Sequence, residues 1–77
     1  MCKYSIIIVT YNSENFIGKN LQSIFHQLDP KEWEVVVIDN SSTDMTVDEI
    51  KPGFQFVKLI LNKQNIGFAA AVNQGFK

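Results

Sequence analysis

Three short apolar runs constrain the fold of this chain more than any other feature of its sequence. They are Tyr4 to Val9, Val35 to Ile38 and Phe56 to Leu61. The first two are almost uninterrupted β-branched stretches, a pattern typical of strands buried on both faces of a parallel sheet. The third run carries Lys58 in its middle, which favours a strand nearer a sheet edge.

The segment between the first two runs carries the pattern of an amphipathic helix. Its apolar side chains form one stripe at helical spacing, at Ile17, Leu21, Ile24, Phe25 and Leu28. Asn12 or Ser13 is the expected N-cap, and Pro30 is expected to end the helix.

Two further helices follow from the turn and capping residues. The segment from Thr46 to Ile50 is predicted to form one or two helical turns. The residues from Ser41 to Asp44 supply turn and capping groups before it, and Pro52-Gly53 is expected to end it. A last helix should begin near Ile66 or Gly67 and continue to the end of the chain. The order β-α-β-α-β-α predicts the α/β class, with a three-stranded parallel sheet and right-handed crossovers.

The bulk composition limits the size and the partners of this fold. With 77 residues, the chain forms one small domain at most. The last helix lacks a following strand to pack on, so we expect residues 1–77 to be a domain that is incomplete at its C-terminus. A net charge of −1 argues against nucleic acid as a partner. No apolar run approaches the roughly 20 residues of a membrane helix, and the single cysteine, Cys2, is compatible with the cytoplasm.

Polar side chains cluster where the predicted strands end. Ligands of open α/β sheets bind outside the carboxyl ends of the strands. The ring of Tyr11 is suited to stacking on a base, and the carboxylate of Asp39 is suited to accepting a hydrogen bond from a base or ribose. The helix N-termini near Ser13 and Gly67 offer unpaired N–H groups for a phosphate.

Three segments at these strand ends resemble family 2 glycosyltransferases. They are SIIIVTYN (residues 5–12), VIDNSSTD (residues 37–44) and NIGFAAAVNQG (residues 65–75). Their order and spacing are similar to those of the family, and together they cover nearly the whole chain. The resemblance implies a Rossmann-like fold of the glycosyltransferase A type, of which this chain is the N-terminal nucleotide-binding portion. It also implies an enzyme of polysaccharide biosynthesis that transfers a sugar from a nucleotide to an acceptor hydroxyl with inversion.

The resemblance implies roles for individual residues. Thr10 and Tyr11 would line the nucleobase pocket, and Asp39 would hydrogen-bond the base or the ribose. Asp44 and the turn from Asn65 to Gly67 would shape the site. The full set of expected nucleotide-binding residues is Thr10, Tyr11, Asn12, Asp39, Asp44, Asn65, Gly67 and Asn73.

The sequence departs from the family pattern at two points. Val72 stands where members that use uridine donors often have an arginine. This departure counts against a UDP-sugar and leaves a dTDP-sugar or another nucleotide sugar open, so UDP and dTDP stay the expected nucleotides. No Asp or Glu follows Glu49, so the family's Asp-x-Asp motif and catalytic base are missing from this segment. A divalent cation, Mg²⁺ or Mn²⁺, is therefore expected in the intact enzyme, with no metal ligand and no catalytic residue in this chain. The chain alone is expected to be inactive.

Other interpretations of the same residues stay open. Asp39 and Asp44 are also typical turn and capping residues, Tyr11 is a possible loop aromatic, and Gly67 would permit a tight turn. The competing function is a non-catalytic α/β module that binds a nucleotide, a phosphate or a protein. A bare strand edge, or the last helix, further predicts self-association. The expected compartment is the cytoplasm, or the cytoplasmic face of a membrane for a longer protein.

Overall fold

The computed structural model of the chain describes residues 4–29, 31–51 and 57–76. Three strands alternate with three helices in the order β1 (Tyr4–Thr10), α1 (Ile17–Gln27), β2 (Trp33–Asp39), α2 (Thr46–Ile50), β3 (Val57–Leu61) and α3 (Phe68–Gly75). All strands are parallel and form one sheet in the order β1-β2-β3. The predicted α/β class and element order are therefore confirmed, and β3 lies at an edge as expected.

The strand register aligns the carboxyl ends of all three strands. Thr10 at the end of β1 pairs with Asp39 at the end of β2, and Asp39 pairs with Leu61 at the end of β3. The polar residues that follow each strand therefore meet along one edge of the sheet. This edge is where a ligand of an open α/β sheet is expected.

The middle strand is buried on both faces because helices cover both sides of it. Val35 and Val37 pack in one apolar cluster with residues of α1 and α2, whereas Val36 and Ile38 pack against Ala71 of α3. This alternation explains why the apolar run of β2 is continuous.

The prediction that the first run is equally buried was wrong. Residues 6–9 of β1 are only partly buried, although Ile6 and Ile8 pack toward α1 and Ile7 and Val9 toward α3. The physical reason is position, since β1 pairs with β2 on one side and is an edge strand of the described sheet.

The predicted N-cap of α1 was also wrong. The helix begins at Ile17, with Phe16 at the N-cap position and no capping bond from a side chain. A turn precedes it, in which the Ser13 carbonyl accepts hydrogen bonds from the N–H groups of Phe16 and Ile17. Neither Asn12 nor Ser13 caps the helix, because their side chains are engaged elsewhere. Oδ1 of Asn12 accepts a hydrogen bond from the N–H of Thr43 in the loop after β2, and the hydroxyl of Ser13 donates to the carbonyl of Tyr11.

Several expected boundaries lie outside the described residues. They are the helix stop at Pro30, the stop at Pro52-Gly53, the strand start at Phe56 and the terminal Lys77. Within the described ranges, α1 ends at Gln27 and α3 begins at Phe68, directly after the predicted start near Ile66 or Gly67. No helix of the described part has the length and apolar character needed to cross a membrane.

Helix α3 lies on the opposite face of the sheet from α1 and α2 and packs across β1 and β2. Gly75 permits this close approach. A Cβ atom at this position would lie 2.8 Å from Cγ2 of Ile7 and 3.1 Å from Cδ1 of Ile38, which is closer than side-chain carbons normally come. Gly75 is therefore required by packing against the sheet.

The substitution Gly75→Ala should destabilise the fold by about 1–3 kcal/mol, because the added methyl group overpacks a filled core. The measurement is the free energy of unfolding in urea. Gly18→Ala on α1 is the matched control, since a Cβ there meets only Oε2 of Glu49 at 3.7 Å. Alanine in place of glycine in a helix interior should then be neutral or stabilising by about 0.5–1 kcal/mol. Equal stability of the two variants would contradict the packing role of Gly75.

Candidate functional site

A buried carboxylate lies at the centre of the carboxyl edge. Asp39 is only 2% exposed, and its Oδ1 accepts hydrogen bonds from Oγ1 of Thr10 (2.7 Å) and Oγ of Ser42 (2.6 Å). Its Oδ2 accepts a hydrogen bond from the backbone N–H of Ser42 (2.9 Å). These donors satisfy most of the acceptor positions of the carboxylate and hold it in one orientation.

An amide network lies on the β3 side of this carboxylate. The buried Asn40 donates from Nδ2 to the carbonyl of Gly67 (3.2 Å), and its Oδ1 accepts from Nδ2 of Asn62 (2.9 Å) and from N–H of Ile66 (3.5 Å). Asn62 and Gln74 exchange two hydrogen bonds of 2.9 Å each between their side-chain amides. The network therefore joins the ends of β2 and β3 to α3 and fixes the turn that precedes α3.

The loops after β1 and β2 are joined by a second set of hydrogen bonds. Oδ1 of Asn12 accepts from the N–H of Thr43 (2.8 Å), and the N–H of Asn12 donates to Oγ of Ser42 (2.9 Å). Asn12 has a φ of 48°, a left-handed conformation that asparagine adopts more readily than most residues. In this structure Asn12 thus holds the two loops together.

Asp44 completes this contact between the loops. Its Oδ1 accepts hydrogen bonds from the N–H and the hydroxyl of Thr46, and its Oδ2 accepts from the N–H of Glu14 (3.2 Å). The N-cap position of α2 belongs to Met45, with no side-chain capping bond, so none of the expected capping residues from Ser41 to Asp44 occupies it. Asp44 lies one residue earlier and still accepts a hydrogen bond from the N–H of Thr46, the first residue of the helix.

The hydrogen bonds to Asp44 also set its protonation. Partial burial raises the pKa of the Asp44 carboxyl, but donation from the Thr46 hydroxyl and from the N–H groups of Thr46 and Glu14 outweighs it. The pKa of Asp44 therefore lies below its ordinary value of 3.8. The charged form is the one that joins the two loops.

Gly67 forms the turn between β3 and α3. Its φ of 85° and ψ of 164° lie in a region that is essentially restricted to glycine. Apart from its chain neighbours, no atom of the described residues lies within 4 Å of where a Cβ would be, so the backbone conformation, and not space, requires glycine. Oδ1 of Asn65 accepts a hydrogen bond from the N–H of Gly67 (2.8 Å), which confirms the tight turn.

The predicted site residues are thus partly brought together. Thr10 and Asp39 are in direct contact, and Asn12 and Asp44 join the adjacent loops. Tyr11 follows the buried Thr10 and is 50% exposed, and Asn73 is exposed on α3.

Four residues that organise this edge were not among the predicted binding residues. They are Asn40, Ser42, Asn62 and Gln74. The available signal was the position of Asn40 and Asn62 immediately after apolar strands. Nothing in the sequence pairs Gln74 with Asn62.

The described residues do not form a metal site. Within residues 4–29, 31–51 and 57–76, no three His, Cys, Asp or Glu side chains come together in an arrangement that could bind a metal ion. The carboxylates of Asp39 and Asp44 accept hydrogen bonds from protein donors on both of their oxygens. The described residues therefore offer no set of protein ligands for a divalent cation.

Comparisons with known proteins assign the family. The family model described as glycosyl transferase family 2 matches residues 5–77, and the chain belongs to this family. An uncharacterized glycosyltransferase of Haemophilus influenzae is 36% identical over 92% of the chain and 23% of its own length. The poly(ribitol-phosphate) beta-N-acetylglucosaminyltransferase TarS of Staphylococcus aureus is 45% identical over 86% of the chain and 10% of its own length.

A solved structure shows the same fold. The mannosyltransferase PcManGT from Pyrobaculum calidifontis, in complex with GDP-Man and Mn²⁺, superposes with a TM-score of 0.85 at 26% identity. The match covers 95% of this chain and 23% of that chain. The predicted glycosyltransferase A fold and family resemblance are therefore confirmed, and the chain spans less than a quarter of the length of these proteins.

Stability should depend on the charge of Asp44. A carboxyl whose folded-state pKa is lowered stabilises the fold above its unfolded pKa, and this contribution is lost as the pH falls through the folded value. The difference in free energy of unfolding between the wild type and Asp44→Asn should therefore be largest near neutral pH and shrink below pH 3.8. Urea denaturation at several pH values measures it. In a Thr46→Val background, the free-energy difference caused by Asp44→Asn should change less with pH. A free-energy difference that does not depend on pH would contradict this role of Asp44.

Proposed function

We propose that this chain forms the nucleotide-binding part of the catalytic domain of a family 2 glycosyltransferase. The observation that carries the proposal is the buried carboxylate of Asp39, held at the carboxyl edge of the sheet by Thr10 and Ser42. A carboxylate fixed in this way is suited to accepting a hydrogen bond from the base or the ribose of a nucleotide. The family match and the mannosyltransferase fold support this function over a non-catalytic binding module.

The other predicted residues would contribute contacts around this carboxylate. The exposed ring of Tyr11 would stack on the base. Asn12 and Asp44 would shape the site by joining its two loops, and Asn65 and Gly67 by fixing the turn before α3. Asn73 would face the site from α3.

The donor would be a nucleotide-diphospho-sugar, with UDP or dTDP as the proposed nucleotide. The related mannosyltransferase structure contains GDP-Man, so GDP belongs in the same comparison. The reaction would transfer the sugar to an acceptor hydroxyl with inversion. A divalent cation and a catalytic base would be needed for this, and we assign neither to the described residues. The proposed compartment is the cytoplasm or the cytoplasmic face of a membrane.

Isothermal titration calorimetry with UDP, dTDP and GDP tests nucleotide binding. We expect weak binding with a preference for one nucleotide. Adding Mn²⁺ should leave the affinity unchanged, because the described residues lack a metal site. A folded protein that shows no preference at millimolar nucleotide would refute the proposal.

Tyr11→Ala should weaken this binding about 5- to 150-fold, since stacking of a base on an aromatic ring contributes roughly 1–3 kcal/mol. Tyr4→Ala is the matched control. Tyr4 is also 50% exposed, but it lies at the opposite end of β1, where it stacks on Trp33. Its substitution should leave nucleotide affinity unchanged. Equal effects of the two substitutions would argue against base stacking on Tyr11.

We also propose that the chain self-associates through the outer edge of β1 or through α3. The edge of β1 carries partly buried apolar residues. Phe68 at the start of α3 and Phe76 directly after its end are exposed. Light scattering of the wild type should show an oligomer at high concentration. The double substitution Phe68→Asp and Phe76→Asp should yield a monomer if α3 is the interface and leave the oligomer intact if the β1 edge is used. A monomeric wild type would contradict both.

A further inference from the structure

We infer that Ser42 is a positioning residue that leaves a single acceptor position on Asp39, at Oδ2, for a donor group of the nucleotide. This inference rests on the proposed function, because it assigns a role to Ser42 within the same site. Ser42 makes two of the three hydrogen bonds to Asp39, one from its hydroxyl and one from its backbone N–H.

The hydrogen bonds divide unequally between the two oxygens of Asp39. Each carboxylate oxygen can accept about two hydrogen bonds. Oδ1 accepts from the hydroxyls of both Thr10 and Ser42, whereas Oδ2 accepts only from the N–H of Ser42. Among the described residues one acceptor position on Oδ2 therefore remains, and an N–H or O–H donor of the ligand would fill it.

The hydroxyl of Ser42 connects the first loop to the carboxylate. Its oxygen accepts a hydrogen bond from the N–H of Asn12, and its proton is donated to Oδ1 of Asp39. The chain of hydrogen bonds runs from Asn12 through Ser42 to Asp39. It couples the loop that carries Tyr11 to the orientation of the carboxylate.

The backbone holds Ser42 in the required place. Ser41 has a φ of 64°, a left-handed conformation that turns the chain directly after β2. This turn brings both the N–H and the hydroxyl of Ser42 back to the residue three positions earlier. The hydroxyl of Ser41 donates to the carbonyl of Lys63 (3.2 Å), which ties the turn to the loop after β3.

Loss of the Ser42 hydroxyl should free Asp39 to rotate and weaken nucleotide binding. Titration calorimetry with UDP, dTDP and GDP in parallel should show about tenfold weaker binding for Ser42→Ala, the effect of losing one hydrogen bond to a charged group. Ser42→Thr keeps a hydroxyl at the same atom and should restore the affinity to within about threefold of the wild type.

Making Ser42→Ala in an Asp39→Ala variant separates a positioning role of Ser42 from a structural role or a direct ligand contact. In Asp39→Ala, the substitution Ser42→Ala should have no further effect on affinity, because the residue through which Ser42 acts is gone. A purely structural role would lower affinity equally in both backgrounds, as would a direct contact between Ser42 and the ligand. Circular dichroism checks folding, and Asp39→Val, which likewise lacks an acceptor for the Ser42 hydroxyl, replaces Asp39→Ala if the latter does not fold.

The outcomes distinguish this inference from the proposed function. A wild type that binds a nucleotide while Ser42→Ala binds it equally well overturns the role of Ser42 alone. The role of Ser42 alone is also overturned if Ser42→Ala weakens binding equally in the wild type and in the Asp39→Ala variant. A folded wild type that binds none of the three nucleotides overturns the proposed function and the inference together.

Discussion

The burial of the Asp39 carboxylate is the constraint on which the carboxyl edge of this fold depends. A charged group that leaves water without hydrogen-bonding partners destabilises a protein severely. Asp39 is 2% exposed, so donors must be supplied from both neighbouring segments, and Thr10 and Ser42 supply them. The loop after β2 must therefore turn back on itself, and the end of β1 must lie in register beside it. The carboxylate thus specifies the geometry of two loops that the apolar core does not reach.

The amide network of Asn40, Asn62 and Gln74 specifies the geometry of the segments on the β3 side of β2. Asn40 is buried beside Asp39, and its amide bonds to groups from the turn before α3 and to Asn62. Polar groups buried in this way specify one arrangement, because any slip of the strands leaves them unpaired. Apolar side chains hold the two faces of the sheet, and polar side chains determine how its carboxyl edge is closed.

This division explains how much could be predicted from the sequence. Apolar periodicity located the strands and helices, and the residues that follow the strands located the candidate site. The capping residues could not be predicted from the local sequence. Asn12 bonds to the loop after β2, Ser13 bonds to the start of α2, and Asp44 bonds to both Thr46 and the loop after β1, and these choices depend on tertiary contacts. The partial burial of β1 depends on strand order, which local patterns do not contain. The pairing of Asn62 with Gln74 likewise arises only when α3 docks on the sheet.

The third family-like segment, residues 65–75, shows what such a motif encodes physically. Asn65 and Gly67 form the turn, the first through its side-chain oxygen and the second through its backbone conformation. Ala71 is fully buried against the sheet, Gln74 pairs with the end of β3, and Gly75 allows close contact with β1 and β2. Each of these requirements concerns how α3 docks, and none needs a ligand. A docked α3 in turn holds the Gly67 carbonyl against Asn40, next to Asp39, so the motif supports the site through packing.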